Sequence, residues 1–204
     1  MTARKNSPGR PPASSRVAIE EVALVLFAEE GYGGTTIESL AAAAGISKTS
    51  FFRYFRSKSD IVWGVFDKHI DRLRATLENS DADVPTMTAV RSAVVTALRA
   101  DADQYGLWLR RFRLFDTSPG LREGALARWS AWAMVIAEFV GGRVGCNPAE
   151  MIPAAAGAAV QAAVLAELRS WIHESAPPAD LIDRLEGDLV ALCDALEGWL
   201  DTKG

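Results

Sequence analysis

The sequence predicts an all-α protein, with a short helical region at the N-terminus and a longer helical domain after it. Apolar residues recur at helical spacing along almost the whole chain, whereas strand-like alternation with Asn-Gly or Asp-Gly turns is absent. Of the 204 residues, 49% are apolar, which is enough for a sizeable core, and 24% are charged. This balance excludes a globally disordered chain.

Four helices are predicted before residue 79. The first has an apolar face and ends at Gly31, a residue type that commonly terminates helices. Thr36, Ser47 and Ser57 each precede a further helix as N-caps, because their side-chain oxygens accept hydrogen bonds from the free amides of a first turn. The predicted ranges are 15–30, 37–44, 48–55 and 58–78.

The polar stretch at residues 79–85, Asn-Ser-Asp-Ala-Asp-Val-Pro, is the clearest linker. Five longer helices are predicted beyond it, separated by turns rich in Gly and Pro. Their predicted ranges are 86–103, 105–115, 121–141, 149–174 and 179–201.

The residues that usually carry chemistry are too few for a metal centre or a catalytic site. Cys146 and Cys193 cannot form a disulfide framework, and His69 and His173 have no Cys or acid partner at metal-ligand spacing. We therefore expect no enzyme, no catalytic residue, no metal and no cofactor. The start of the chain lacks an export signal, and the apolar stretch 151–168 is mostly alanine, so a cytoplasmic protein without membrane contact is expected.

Charge is distributed unevenly, and this gives the first indication of function. The chain has a net charge of −4, yet residues 1–60 carry eight bases against six acids. Two blocks, residues 1–19 and residues 39–59, each hold four bases and no acid. Such blocks on an otherwise acidic protein favour a face that contacts a polyanion, although a solvated tail and a charged helix are the alternative.

The two short helices within residues 37–55 are joined by a tight turn at Gly45. Apolar side chains occupy the positions where these helices must pack, while Ser47 to Ser50 provide polar groups in the first turn of the second helix. This is the helix-turn-helix arrangement, whose second helix enters the major groove of DNA. A generic helical hairpin is the alternative, but it leaves the acid-free block unexplained.

The same region resembles the TetR family of bacterial transcriptional regulators over about residues 15–62. The motifs that carry the resemblance are Phe27-Ala28-x-x-Gly31-Tyr32-x-x-Thr35-Thr36-Ile37, Leu40-Ala41-x-x-Ala44-Gly45-Ile46-Ser47 and Phe52-x-x-Phe55-x-Ser57-Lys58. The resemblance implies a DNA-binding domain over residues 15–60 and a ligand-binding and dimerisation domain over residues 61–204. Residues 1–14 are expected to be a disordered basic arm.

The resemblance also implies which residues contact DNA. Phosphate contacts fall on Thr35, Thr36, Tyr54 and Lys58, and base or groove contacts fall on Ser47, Lys48, Thr49, Ser50 and Phe52. Phe52 stands where a tyrosine is usual, so one phenol–phosphate hydrogen bond is lost. Arg53 stands where histidine or tryptophan is frequent, and is a candidate to replace that bond.

A closer resemblance extends into the second domain. It is similar to regulators of the mycofactocin system in actinobacteria, except that Arg56 stands where proline is usual. The residues that carry it are Phe52-Arg53-Tyr54-Phe55-x-Ser57-Lys58, Trp63-Gly64-x-Phe66-Asp67-x-His69, Arg111-x-Arg113-Leu114, and Ala131-Trp132 followed by Val135 to Val140.

An aromatic set in the middle helices is the candidate ligand pocket, although a stripe of this kind is usually hydrophobic core. Arg110, Arg111 and Arg113 lie nearby in sequence, where they either neutralise an anionic ligand head or remain solvated. The candidate pocket residues are Trp108, Phe112, Phe115, Trp129, Trp132 and Ile136.

The last two helices are the candidate dimer interface. Residues 154–166 contain eight alanines, which permit close backbone approach, and the final helix repeats leucine at helical spacing. Pairing with a second copy would give a four-helix bundle, whereas an internal core is the alternative. The candidate interface residues are Ala158, Ala162, Leu165, Leu189, Leu192 and Leu196.

Together these features predict a homodimeric repressor that releases a palindromic double-stranded DNA operator when a largely apolar effector binds. The effector class is an acyl-CoA or a lipid-like compound. Two alternatives stay open: a helical lipid-binding or enzymatic protein with an apolar cavity, and an architectural DNA-binding protein that takes no ligand.

Overall fold

The computed structural model describes residues 15–102, 107–174 and 178–202. The expected basic arm at residues 1–14 lies outside these residues. The described part of the chain contains nine α-helices, one short 3₁₀ turn at Pro119–Leu121 and no strand, which confirms the all-α prediction. The helices are α1 (Arg16–Glu29), α2 (Ile37–Ala43), α3 (Lys48–Tyr54), α4 (Lys58–Glu78), α5 (Thr86–Asp101), α6 (Leu107–Thr117), α7 (Arg122–Val144), α8 (Met151–Trp171) and α9 (Pro178–Asp201).

The chain divides into two compact units, with the division between Val62 and Trp63. The first unit contains α1, α2, α3 and the start of α4. Its core is apolar, and the side chains that are at most 2% exposed include Phe27, Leu40, Phe51 and Phe55. Burying an aromatic or aliphatic side chain of this size stabilises a fold by about 1.5–3 kcal/mol.

The predicted caps begin the short helices of the first unit. Thr36 and Ser39 form a reciprocal capping box at the start of α2, each side-chain oxygen accepting from the other residue's amide at 3.0 Å. Ser47 caps α3 by accepting from the amide of Ser50 at 3.0 Å. Between these helices Gly45 adopts a φ of 67°, a left-handed conformation that favours glycine, so the chain can turn sharply there.

The second unit is a helical bundle in which α7 packs against α8 and α5 packs against α9. Gly157 allows the closest of these crossings, because a Cβ atom at this position would lie 2.4 Å from the carbonyl oxygen of Ala133. Helix α8 is long and apolar enough to span a membrane, with a mean hydropathy of 1.5. It packs against α7 and α9, and 33% of its apolar window is buried in the single chain.

One helix end differs from the prediction. The sequence predicts that α7 ends at Gly141, but the helix continues to Val144 and is capped by Gly145 with a φ of 73°. Gly141 instead lies where the chain returns close to the helix, since a Cβ atom there would be 2.8 Å from the carbonyl oxygen of Cys146. Gly141 therefore allows the backbone after the helix to pass close to it, whereas Gly145 makes the turn that ends the helix.

Candidate nucleic-acid interface and effector-binding core

Helix α3 presents a polar and aromatic face to solvent. Phe51 is fully buried and attaches the helix to the core of the first unit, while Phe52 is 47% exposed. The Phe52 ring is therefore available for contact with a partner. The other exposed candidates on the helix and its cap are Ser47, Lys48, Thr49 and Arg53, and Ser50 and Tyr54 are half-buried.

The structure places the two predicted phosphate-contacting threonines differently. Thr36 is exposed at the start of α2. Thr35 is only 1% exposed, and its hydroxyl donates to the carbonyl oxygen of Gly31 at 2.9 Å. The resemblance implies a Thr35 hydroxyl that is free to contact phosphate. In the structure this hydroxyl points inward and holds the turn between α1 and α2.

Lys58 also supports the turn between α1 and α2. Its ammonium donates to the carbonyl oxygens of Tyr32 and Thr35 and lies 4.2 Å from the centroid of the Tyr32 ring. Burial lowers the pKa of the Lys58 ammonium. An ammonium has three donors, so a predicted contact with phosphate would add to these two bonds.

Arg16 is a structural residue of this unit that the sequence analysis did not single out. Its guanidinium donates to the carbonyl oxygen of Tyr54 at 2.8 Å and lies 4.6 Å from the centroid of the Phe55 ring. It also pairs with Glu20 at 3.0 Å. Arg16 thereby joins the start of α1 to the end of α3, a contact between residues 38 positions apart.

The six candidate pocket residues are all buried in the second unit. The rings of Phe112, Phe115, Trp129 and Trp132 form one continuous aromatic cluster. The Phe112 and Phe115 centroids are 5.4 Å apart, those of Phe112 and Trp129 are 6.4 Å apart, and those of Trp129 and Trp132 are 5.8 Å apart. Offset or edge-on ring pairs of this kind contribute about 0.5–1.5 kcal/mol each beyond their burial.

Three further aromatic residues contact the candidate pocket residues without having been predicted, and one of them, Trp171, pairs with Trp108 apart from the other rings. Phe66 of α4 lies 4.8 Å from Trp129 and 5.6 Å from Phe115 between ring centroids, Trp63 lies 5.0 Å from Phe115, and Trp171 lies 6.0 Å from Trp108. The indole N–H groups of Trp108 and Trp171 are buried and have no acceptor among the residues that the structure describes.

The three arginines of α6 divide between surface and interior. Arg110 and Arg113 are exposed, and Arg113 donates to the carbonyl oxygen of Ile172. Arg111 is 6% exposed, so its guanidinium lies inside the unit. Its position three residues after Trp108 and four before Phe115 puts it on the inner face of α6, which helical spacing alone could have indicated.

His69 has an acid partner that sequence spacing could not show. Its Nδ1 lies 2.5 Å from an Asp101 carboxylate oxygen, and its Nε2 accepts from the indole N–H of Trp132 at 3.1 Å. Arg72 donates to the same carboxylate. Burial alone would raise the pKa of the Asp101 carboxyl, but the bonds from His69 and Arg72 outweigh it and hold that pKa below its ordinary value.

The candidate dimer residues fall into two groups. Ala158 and Ala162 are exposed on α8, and Leu165, Leu192 and Leu196 are half-buried. Leu189 is only 1% exposed within the single chain. It therefore lies on the inner face of α9 and cannot contact a partner subunit. The leucine repeat of α9 thus serves the subunit core as well as its outer flank.

A groove of about 780 Å³ lies in the second unit, between the C-terminal ends of α7 and α9 and the N-terminal ends of α5 and α8. Glu197 lines it and caps α5, accepting from the amides of Thr86 and Met87. Arg143 also lines it and donates to backbone oxygens of the 80–84 segment. These charged groups have structural partners, so the groove adds no second site to the candidate aromatic cluster.

An exposed recognition helix on a helix-turn-helix unit, followed by a helical domain with an aromatic interior, defines a class of ligand-responsive DNA-binding proteins. Two family models match the chain: "Bacterial regulatory proteins, tetR family" over residues 19–63 and "MftR C-terminal domain" over residues 84–197. The chain therefore belongs to the TetR family of bacterial transcriptional regulators, with an MftR-type C-terminal domain.

Two curated relatives match over most of their length. The mycofactocin biosynthesis transcriptional regulator MftR of Mycobacterium tuberculosis is 28% identical over 166 residues, which cover 81% of this chain and 84% of the relative. The regulator TcmR of Streptomyces glaucescens is 27% identical over 208 residues, covering 97% of this chain and 87% of the relative. Both relatives are transcriptional regulators and not enzymes, as predicted for this chain.

The fold is shared with solved TetR-family structures. The SmeT–triclosan complex aligns with a TM-score of 0.62 and 19% identity, covering 91% of this chain and 90% of SmeT. At that identity the likeness concerns the fold. The predicted fold class and the family resemblance are thereby confirmed, and the chain is a ligand-responsive DNA-binding regulator of transcription.

Proposed function

We propose that this regulator is a homodimeric repressor that binds a palindromic operator through α3 and releases it when a largely apolar small molecule enters the second unit. The proposed site of action is the cytoplasm. The DNA-contacting residues are those of α3 and its cap, together with Thr36 and Lys58. Residues 1–14 are proposed to be a basic arm that adds contacts to DNA.

The exposed face of α3 is the observation that carries this proposal. Helix α3 exposes Lys48, Thr49, Phe52 and Arg53 to solvent. Phe51, on the opposite side, anchors the helix to the core of the first unit. Phe52 supplies a ring for apolar contact with a thymine methyl group, and the polar residues supply hydrogen bonds to base edges. Arg53 lies 5.1 Å from the Tyr54 ring, where it is positioned to meet a phosphate.

The effector is proposed to bind at the aromatic cluster of α6 and α7. The cluster of Phe112, Phe115 and Trp129 offers an apolar surface that matches an acyl chain or another apolar group. The buried Arg111 lies on the same face of α6, beside Phe112, and places a positive charge next to the apolar site. An acyl-CoA or a lipid-like acid is therefore the proposed class.

Dimerisation is proposed to use the outer faces of α8 and α9. Ala158 and Ala162 are exposed, and α9 exposes Gly187, Ala191 and Ala195 at the matching spacing of four residues. Small side chains on both helices allow two copies to approach closely in a four-helix bundle. The symmetric dimer would read the two half-sites of a palindrome.

The test is operator selection from a randomised duplex pool, followed by release with named probes. Palmitoyl-CoA, palmitate and coenzyme A are added separately to the complex. The expected result is a palindromic site that palmitoyl-CoA or palmitate releases and coenzyme A alone does not. Arg111→Met should weaken release, whereas the exposed matched control Arg110→Gln should not. Recovery of no preferred site, or release by none of the probes, would contradict the repressor and the effector proposals respectively.

A further inference from the structure

Lys48, the first residue of the proposed recognition helix, forms an ion pair with Glu38 of α2. The Lys48 ammonium lies 2.5 Å from a Glu38 carboxylate oxygen, across ten positions of sequence. The Lys48 and Glu38 side chains are 56% and 64% exposed. The pair therefore presents one positive and one negative group side by side on the surface that meets DNA in the proposed function.

Glu38 stands out in this surface because the segment from Gly31 to Ser59 contains no other acid. A carboxylate close to phosphates is repelled by them, so its presence costs DNA affinity unless it has a role. Glu38 lies in the first turn of α2, where a carboxylate interacts favourably with the helix dipole by about 0.3–1 kcal/mol, but the caps of α2 and α3 are made by other residues. Thr36 and Ser39 cap α2 through each other, and Ser47 caps α3. An exposed ion pair contributes about 0–1 kcal/mol to stability.

The chemistry of the pair matches one edge of a base pair. In the major groove guanine offers the O6 and N7 acceptors, and its partner cytosine offers the N4 amino donor next to O6. A lysine donates to guanine O6 and N7, and a glutamate accepts from cytosine N4. An A·T pair fits less well, because the adenine amino group lies between the acceptors N7 and O4: the lysine can donate to only one of them, and the other lies next to the carboxylate.

We propose that Glu38 and Lys48 act as one reading unit that selects a G·C base pair in each operator half-site, with Lys48 contacting guanine and Glu38 contacting cytosine. This inference rests on the proposed function, in which α3 lies in the major groove. The hydrogen bond from Lys48 holds the pKa of the Glu38 carboxyl below its ordinary value, so the acceptor is ionised at neutral pH. The weak pairing lets both groups turn toward the bases without a large loss.

The first experiment is parallel selection from a randomised duplex pool with the full-length wild type, Glu38→Ala, Lys48→Met and Glu29→Ala. Glu29 is an exposed acid at the end of α1 and serves as the matched control. The wild type and Glu29→Ala should select a site with a symmetric G·C position, preferred over A·T by about 5- to 150-fold. Glu38→Ala and Lys48→Met should lose that preference and keep the others.

The second experiment assigns each contact. In the selected duplex, guanine is replaced by 7-deazaguanine or cytosine by 2-pyrimidinone, which lacks the N4 amino group. The wild type should lose affinity for both, Lys48→Met should be insensitive to 7-deazaguanine, and Glu38→Ala should be insensitive to 2-pyrimidinone. Circular dichroism checks that each variant remains folded.

Three results would overturn the inference. A Glu38→Ala variant that binds every duplex more tightly with unchanged preferences would show that Glu38 only repels phosphate. A wild type that prefers A·T at the position affected by Lys48→Met would contradict the base assignment. A wild type that selects no site at all would refute the proposed function itself, and the inference with it.

Discussion

The indole N–H of Trp132 donates to Nε2 of His69 at 3.1 Å inside the second unit. An indole nitrogen is a donor only, so Nε2 must be the unprotonated nitrogen of the imidazole. The proton then lies on Nδ1 and is donated to the Asp101 carboxylate. Three helices, α4, α5 and α7, are thus held together by a neutral histidine whose two ring nitrogens both have partners.

The Asp101 carboxylate should stabilise the protein by accepting from His69 and Arg72. Asp101→Asn should lower the free energy of unfolding at pH 7 by about 1.5–3 kcal/mol, the usual value of a hydrogen bond to a charged group. Because the folded pKa is lowered, this stabilisation is present above the ordinary pKa of 3.8 and is lost as the pH falls through the folded value. The variant should therefore lose less stability on acidification than the wild type.

Guanidinium unfolding at pH 7 and at pH 3 measures both effects. Asp71→Asn is the matched control, because Asp71 is exposed on α4. Equal stability of Asp101→Asn and Asp71→Asn at pH 7 would mean that the network contributes nothing to the fold.

The crossing of α7 and α8 should not tolerate a side chain at Gly157. In Gly157→Ala the new methyl group would stand 2.4 Å from the Ala133 carbonyl oxygen, so the helices must separate. Overpacking of this kind costs about 1–3 kcal/mol. Gly142→Ala is the control, since Gly142 lies in α7 with nothing within 4 Å of the added atom, and alanine is the better helix former. Thermal unfolding should rank Gly142→Ala at or above the wild type and Gly157→Ala below it.

Local sequence signals predicted the helices of this protein, but they could not predict contacts between residues far apart in sequence. Ser47 and Thr36 could be recognised as caps because a cap bonds within three residues of itself. Arg16 and His69 could not be assigned their partners, which lie 38 and 32 positions away. Gly141 was misjudged for a different reason: its role is set by how the chain folds back at Cys146, just after the helix, and residue type alone does not show this.

In the candidate sites, too, residue spacing predicted some features and could not predict others. Helical spacing placed Trp129 and Trp132 on the inner face of α7, and both are buried. Leucine spacing on α9 could not separate a residue facing the subunit core, such as Leu189, from one on its flank, such as Leu192, because both faces of that helix carry leucine. Thr35 resembles a phosphate ligand in sequence, but the side chain is turned inward by a hydrogen bond to the preceding turn.

Lys58 and Lys48 should respond differently to removal of their charge. Lys58→Met removes two hydrogen bonds to the α1–α2 turn, so it should lower the stability of the first unit by about 1–3 kcal/mol. With a phosphate contact also lost, affinity should fall for all duplexes, and the salt slope should shrink by about 0.9. Lys48 is exposed, so Lys48→Met should leave stability unchanged.

Thermal unfolding and gel-shift titrations over a salt series separate the two lysines. Lys48→Met should change the preference between matched and scrambled duplexes, while Lys58→Met should weaken both equally. A Lys58→Met protein with wild-type stability would show that the bonds to Tyr32 and Thr35 do not hold the turn.

The dimer interface can be tested through the exposed alanines of α8. Ala158→Trp and Ala162→Trp should each force the proposed four-helix bundle apart, because a bulky group enters a close contact twice in a symmetric dimer. At about 1–3 kcal/mol per site, the dimer would lose about 2–6 kcal/mol. Since Ala158 and Ala162 are exposed in the single chain, the folded subunit has room for the larger side chain.

Operator affinity should collapse together with the dimer. Two recognition helices must be held about 34 Å apart, one turn of duplex, to occupy both half-sites of a palindrome. Sedimentation and gel-shift titration of the same samples measure the two effects, with Ala75→Trp on the exposed face of α4 as the matched control. In the proposed function an effector acts through the same requirement, because it need only favour a state with the wrong spacing by a few kcal/mol. A folded, monomeric Ala158→Trp that binds the operator with wild-type affinity would break the connection between dimerisation and DNA binding, and with it this account of induction.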